Sequence, residues 1–434
     1  MNPELIGILI LFTTFFVLLF LKVPVAFSIG ISTLVTLLFS IPFLPAVTTV
    51  SQRMITGLDS FALLAIPFFI LAGEIMNQGG IARRMINFAK SLIGSLPGGL
   101  SYVNVLAAML FGAISGSSVA AASAIGGIMT EGMVKDGYPR PFTAGVNITS
   151  SSTGLVIPPS NALIVYALAS GGAASVAALF LAGYVPGILV GLGLMAVVFI
   201  YSRRYDLPRG ERVPFSEVWK SFKDAFFSLL MLVVVVGGIV MGIFTATEGA
   251  AIAVVYASVL ALAYKEVRLK DFSAIFLQSA KTNAIVTFLI GTSMAMSWLF
   301  SFESFPEYLS SVLLSNVSSP IVVFLIINLT LLVIGTFMDM TPALLIFTPI
   351  FLPLVTELGM DPVHFGIIMV MNLCIGLCTP PVGTLLFVGS GVARVKVTEV
   401  IRPMIPLLIT MVVVLMMVTY FPSFAMWLPA LFGY

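Results

Sequence analysis

The segment Thr153–Tyr166 reads TGLVIPPSNALIVY, and Ile375–Val388, in the other half of the chain, reads IGLCTPPVGTLLFV. Each sets a glycine four positions before a Pro-Pro pair, Gly154 before Pro158-Pro159 and Gly376 before Pro380-Pro381, inside an otherwise apolar run. A proline within a helix removes a backbone donor and clashes with the carbonyl one turn back, so two in succession force an unwound patch. In hydrocarbon such a patch survives only where it is buried in protein or lines a cavity. Interruptions at matching places in two halves of one membrane chain point to a binding site at the repeat interface.

The surrounding composition supports a membrane setting. Of 434 residues, 59% are hydrophobic and 9% charged, whereas a soluble domain carries about 25% charged residues. The formal charge of +2 comes from bases scattered at loop positions, which describes no nucleic-acid surface. The first apolar run, Leu5–Leu21, follows Glu4 and no Lys or Arg; it lacks a signal peptide's basic head and reads as a retained span. Cys374 and Cys378 sit four apart in an apolar segment and read as core residues. No GxxxxGK[ST] motif is present, so nothing indicates ATP-driven chemistry.

Spans at Leu5–Leu21 and Val25–Ser40 are followed by a polar stretch, Pro42–Gly57, and a third span, Ser60–Met76. Gly80–Lys90 interleaves Arg83, Arg84 and Lys90 with apolar positions, as a surface-lying arm does. Gly98–Glu131 is too long for one span and too short for two. It predicts a re-entrant hairpin with its tip at Ser115–Ser118. The broken span Phe142–Ala169, a further span Ser175–Ile200 and the polar linker Tyr201–Asp224 follow. That linker carries Arg203, Arg204, Arg209, Arg212, Lys220 and Lys223.

The same order then recurs. Ala225–Phe244, Gly249–Tyr264 and Asn283–Phe300 are spans, with a basic turn at Lys265–Lys270. Phe302–Ser311 is a second arm, Ser319–Glu357 a second hairpin around GTFMDMTP (Gly335–Pro342), Val363–Val392 a second broken span and Met404–Pro422 the last span. With the amino terminus outside and both hairpins re-entrant, every Lys and Arg except Arg53 falls on the inner side. Counting either hairpin as a single span would put the linker bases or the Arg394/Lys396/Arg402 group outside. In the same tracing Trp298 and Trp427 fall near the outer interface. The expectation is an all-α polytopic inverted-repeat protein: residues 1–204 form the first repeat, 205–218 a cytoplasmic linker and 219–434 the second repeat.

The hairpin GAISGSSVAAASAIG, the broken span STGLVIPPSNALIVYA, the second hairpin GTFMDMTPALLIFTPIFLP and the echo IGLCTPPVGTLLFVG together resemble the large, DctM-like membrane subunit of tripartite ATP-independent periplasmic (TRAP) transporters. The likeness runs over essentially the whole chain. It implies an elevator-type secondary transporter in the bacterial inner membrane, multi-pass, with a periplasmic amino terminus. It also implies sodium-coupled uptake of an organic acid, of sialic acid or C4-dicarboxylate type, delivered by a periplasmic binding protein. A small four-span membrane subunit is a further implied partner, expected as a separate chain.

Within that frame the residues suggest where ligands sit. A hard monovalent cation needs several oxygens, which unwound carbonyls supply without a buried charge, and half-helix amino termini favour an anionic substrate. One sodium is expected between Ser115 and the carbonyls of Gly154, Ile157 and Pro159. A second is expected among Gly335, Asp339, Gly376, Thr379 and Pro381. The substrate carboxylate is placed near Ser117, Ser118, Ser160 and Asn161. Asp339 is the only acid in either tip, and an intramembrane carboxylate is by default functional. Glu248 is a candidate for coupling or simply an interfacial residue, while Asn147 and Asn372 read as ties between helices. Small hydroxyl residues also serve close helix packing, so each serine has a structural reading beside the ligand one. Alternatives from other classes are a stand-alone sodium/dicarboxylate symporter and, more remotely, an intramembrane serine hydrolase pairing Ser117 or Ser118 with His364. No catalytic residues are expected in the main reading. Each charge crossing about 100 mV releases about 2.3 kcal/mol and a tenfold gradient costs about 1.4 kcal/mol, so two sodium ions entering with a monoanion suffice for accumulation.

Overall fold

A computed structural model describes residues 3–205, 207–210, 213–317 and 319–434. Arg212, one of the linker bases, lies outside the described residues. Every named element is a helix. The first half contains α1 (Pro3–Phe20), α2 (Val25–Ser40), α3 (Phe43–Leu58), α4 (Ala65–Gln78), α5 (Ile81–Ile93), α6 (Gly99–Ser115), α7 (Ser118–Lys135), α8 (Arg140–Thr153), α9 (Asn161–Ala169) and α10 (Val176–Arg204). The second contains α11 (Phe215–Val240), α12 (Ala246–Ala263), α13 (Phe272–Phe302), α14 (Phe305–Asn316), α15 (Pro320–Phe337), α16 (Met340–Glu357), α17 (Pro362–Cys378), α18 (Thr384–Ala393), α19 (Val397–Tyr420) and α20 (Ser423–Leu431). Among the described residues, 8 helical segments are long and apolar enough to cross a membrane. The chain is a multi-pass membrane protein.

Both hairpins form as turned helix pairs, α6/α7 and α15/α16, and both Pro-Pro segments interrupt a helix, α8/α9 and α17/α18. The tight packing of α4 on α12, of α2 and α3 on α13 and of α1 on α2 makes one body. The hairpins and broken helices, with α10 and α19, make the other. The halves interlock there: α9, beyond the first break, packs on α16 of the second hairpin, and α18, beyond the second break, packs on α7 of the first. Contacts of α13 with α16 and of α4 with α6 join the two bodies.

The arm α5 shows how sequence makes an element here. Ile81, Ala82, Met85, Ile86 and Ala89 recur on one helical face and are buried. Arg83, Arg84 and Lys90 are left on the other. Gly80, at φ +70, starts the helix from a left-handed turn in which a Cβ would meet Glu266 at 2.8 Å.

Four sequence expectations need correction. The polar stretch Pro42–Gly57 is mostly helix α3: Ala46, Val50, Met54, Gly57 and Leu58 make a stripe at helical spacing. A Cβ on Gly57 would meet Met294, and one on Gly291 would meet Leu58, so α3 lies closely along α13. The linker is shorter than expected, because α10 runs to Arg204 and α11 already begins at Phe215; Phe215, Trp219, Phe222 and Phe226 give this charged stretch an apolar helical side. The span expected at Asn283–Phe300 is the later part of the 31-residue α13, about 46 Å at 1.5 Å per residue. The last span starts at Val397, and beyond Pro422 a short helix, α20, packs on α10.

Candidate transport site

Tip 1 turns on Gly116, at φ +61, whose N–H donates to the Gly112 carbonyl at 2.8 Å. Ser117 caps α7: its backbone is extended and its Oγ accepts the Ala120 N–H at 3.2 Å, satisfying one of the orphan donors of a helix start. Ser115 Oγ donates to the Ser117 carbonyl at 3.4 Å. A Cβ on Gly116 would stand 2.9 Å from Asn161 Nδ2, so the tip touches the first residue of α9. The structure thereby brings Ser115, Ser117 and Ser118 of the tip together with Ser160 and Asn161 of the break. Ser118 and Ser160 are buried, and Ser117 and Asn161 half-buried.

Break 1 is held by close backbone approach. A Cβ on Gly154 would lie 2.4 Å from the Gly112 α-carbon, and one on Gly112 2.7 Å from that of Gly154. On the far side, α10 presents Gly183, Gly187 and Gly191. The Val156 carbonyl rests on Gly183, the Ile157 side chain on Gly187 and the Met109 thioether on Gly191. Sequence reasoning missed this i, i+4, i+8 glycine stripe, although its small-xxx-small spacing was the available signal. The Ser160 hydroxyl donates to the Leu155 carbonyl. Among the described residues, no hydrogen bond is made to the carbonyls of Gly154, Ile157 or Pro159. Unbonded carbonyl oxygens are the kind of donor a hard cation takes. No three of His, Cys, Asp and Glu come together among the described residues.

Break 2 repeats the central contact. A Cβ on Gly376 would lie 2.5 Å from the Gly335 α-carbon, and one on Gly335 3.0 Å from that of Gly376. Around it the details differ. Tip 2 has no left-handed glycine; Met338 is extended and Asp339 caps α16, its Oδ1 accepting the Met340 N–H at 2.9 Å. The Asp339 side chain is exposed, as is Pro381, and Thr379 is half-buried. Thr379 Oγ1 donates to the Ile375 carbonyl at 2.7 Å, and its N–H to the Gly376 carbonyl at 2.9 Å. The Gly383 N–H reaches the Thr336 carbonyl at 2.9 Å, tying the break to the hairpin.

The preceding helix α8 carries NITSSST, polar yet buried. Thr149, Ser150, Ser152 and Thr153 hydroxyls donate to carbonyls three or four residues back, at 2.6–3.2 Å, so burial leaves them satisfied. Asn147 Nδ2 donates to the Ala122 carbonyl at 2.9 Å, joining α8 to α7. Asn372 Nδ2 donates to Asn328 Oδ1 at 2.6 Å, joining α17 to α15. Glu248 closes a capping box at the start of α12, accepting the Thr245 N–H at 2.8 Å while Thr245 Oγ1 accepts its own. His364 Nε2 lies 2.8 Å from the Val418 carbonyl, a partner on α19 and unrelated to the serines of tip 1.

The model of the tripartite ATP-independent periplasmic transporter, DctM component, matches residues 12–424. The chain belongs to that family. A relative from Rhodobacter capsulatus, the C4-dicarboxylate TRAP transporter large permease protein DctM, is 39% identical over 98% of this chain and 99% of its own length. The sialic acid TRAP transporter large permease protein SiaM of Vibrio cholerae is 38% identical over 96% and 97%. An uncharacterised Salmonella typhimurium protein, YgiK, is 51% identical over 98% of each. In fold, this DctM-family chain is similar to the crystal structure of the Alcanivorax borkumensis YdaH transporter, with a TM-score of 0.65 at 14% identity over 88% of this chain and 89% of that one.

Proposed function

We propose that this chain is the translocating subunit of a sodium-coupled importer of an organic acid, working as an elevator. The body of hairpins and broken helices would carry the substrate past the body built on α2, α3, α4, α12 and α13. The carrying observation is the repeated glycine-on-glycine contact, Gly112–Gly154 and Gly335–Gly376, which sets each hairpin tip beside an unwound segment. Interlocking of α9 with α16 and α18 with α7 supports movement of that body as one piece. Both hairpins would be re-entrant, with the amino terminus periplasmic and the chain in the bacterial inner membrane, as the charge bias favours.

Sodium would be held at break 1 by Ser115 Oγ and the carbonyls of Gly154, Ile157 and Pro159, and at break 2 by Asp339 with backbone oxygens of Gly335, Gly376, Thr379 and Pro381. When bound it would supply positive charge beside the substrate. The substrate carboxylate would sit at tip 1, against the starts of α7 and α9, where Ser117, Ser118, Ser160 and Asn161 converge and helix amino termini favour an anion. Relatives named for C4-dicarboxylate and sialic acid support an organic-acid substrate. A periplasmic binding protein would deliver it, and a small membrane subunit would complete the permease. The chain spans 65% of a longer relative named isethionate TRAP transporter permease protein DctMQ, which leaves length for a further segment there.

The test is uptake in proteoliposomes holding this chain with its small-subunit partner, presented with labelled organic acids on a candidate binding protein, with and without an inward sodium gradient. Uptake requiring both sodium and the binding protein is expected. Uptake that ignores the sodium gradient would refute coupling, and uptake without the binding protein would turn the reading to a stand-alone symporter.

A further inference from the structure

One large concavity has no residue of either break in its lining. It is a cleft of about 1300 Å³ bounded by α5, the connection after α10, the start of α11 and the end of α12. Arg83, Arg84, Lys90, Arg209, Lys220 and Lys223 line it. Four carboxylates share it: Asp136, Glu217, Asp224 and Glu266. Arg84 is already engaged, with its guanidinium 3.7 Å from Glu266, 3.6 Å from the centre of the Tyr264 ring and 3.0 Å from the Gly80 carbonyl. The other five bases have no carboxylate of the described residues within ion-pair distance. Cations gathered in a concave wall of low dielectric focus their field on whatever anion enters.

A second, independent feature says which anion. Along one side of α11 run Phe215, Trp219, Phe222 and Phe226. Trp219 stacks on Phe222 at 5.5 Å, and Phe222 meets Phe226 and Phe88 of α5, each at 5.7 Å. Phe215 is 80% exposed and Trp219 51%. Lys223 Nζ lies 5.6 Å from the Trp219 ring centre, where the aromatic side meets the basic one. Exposed tryptophan and phenylalanine at the head of a membrane helix mark the level of lipid headgroups. A basic cleft opening at that level suits a phosphate carried on a lipid better than one free in water.

The walls are also tied together. Pro97 and Arg209 form an isolated antiparallel bridge, and the Gly98 N–H donates to the Pro208 carbonyl at 3.0 Å. The connection between the halves is thus pinned to the base of the first hairpin.

We propose that this cleft binds the headgroup of an anionic phospholipid, its phosphate held by Lys90, Arg209, Lys220 and Lys223 and its acyl chains leaving along the aromatic side of α11. The lipid bridges the arm, the first hairpin base and the second half of the chain at one point.

The experiment is native mass spectrometry of the full chain in mild detergent after exposure to phosphatidylglycerol or phosphatidylcholine. The wild-type protein is expected to retain phosphatidylglycerol selectively, and Arg209→Gln/Lys220→Gln/Lys223→Gln to lose about five-fold or more of it. Arg394→Gln/Lys396→Gln, which neutralises exposed bases outside the cleft, should retain it. Equal retention by the triple variant, or equal loss from the control, would overturn the proposal. Thermal unfolding of the wild-type protein tests the same point without any variant. Phosphatidylglycerol should raise Tm where phosphatidylcholine and inorganic phosphate do not. An equal rise with phosphatidylcholine would remove the charge argument, and one with phosphate alone would make this a free-anion site. Neither readout involves transport, so either can fail while the transport reading stands.

Discussion

The two breaks share a motif and a central glycine contact but differ in how far they are closed. At break 1 the segment is packed on α10 through three glycines, and Pro159 and Ser160 are buried. At break 2 Pro381, Val382 and Asp339 are exposed, and among the described residues no comparable glycine stripe receives the loop. A repeated sequence therefore fixes where a helix opens, and the neighbouring helix decides whether the opening is sealed.

The largest effect is expected at the sealed break. Gly154→Val puts side-chain atoms where the Gly112 backbone lies at 2.4 Å. Because that atom is backbone and cannot turn aside, uptake should be abolished and stability fall by at least the 1–3 kcal/mol or so typical of overpacking. Gly376→Val, the matching change at break 2, meets the Gly335 backbone at 2.5 Å, but the exposed loop that follows can shift to relieve it, so it should cost less. Equal falls in Tm for the two would erase the distinction between the breaks.

Asp339→Asn comes next. Asn caps a helix about as well as Asp, so α16 should keep its start and Tm should hold. Loss of the charge should lower uptake at limiting sodium about tenfold, equivalent to about 1.4 kcal/mol. Unchanged uptake would leave Asp339 with capping as its whole role.

At tip 1 the paired serines separate packing from binding. Ser117→Ala removes the cap on α7 and should cost about 1 kcal/mol, read as a lower Tm. Ser118→Ala breaks no side-chain bond of the described residues and should instead raise KM for the substrate with Tm unchanged. If both serines move Tm alike, tip 1 is a structural turn. The smallest change is expected outside both breaks: Glu248→Gln keeps a residue that serves in capping boxes, and uptake should stay within about twofold. A large loss there would give Glu248 a coupling role that the cap does not explain.

Much of this was legible in the chain itself. The Pro-Pro segments had to unwind, because the missing donors and ring clashes are local. The lengths of Gly98–Glu131 and Ser319–Glu357 called for hairpins, and helices turn at 115–118 and 337–340. Ser117, Ser118, Ser160 and Asn161 are singled out by position, and in the fold the tip at Gly116 touches Asn161. Helix α3 is hard to see in the sequence because its stripe of Ala46, Val50 and Gly57 is small and weakly apolar, and acquires meaning only against Met294 on α13. The α10 glycines are hidden for the same reason: the residues they admit, Val156, Ile157 and Met109, are remote in sequence.

What the sequence determined alone is therefore the class, the order of the hairpins and broken helices and the places where helices open, since these follow from hydropathy, length and backbone chemistry. Only the tertiary structure decided which opening is closed over, which carbonyls stay unbonded and which bases share a cleft. Those depend on distances between segments, and no local rule carries a distance between α6 and α8 or between α5 and α11.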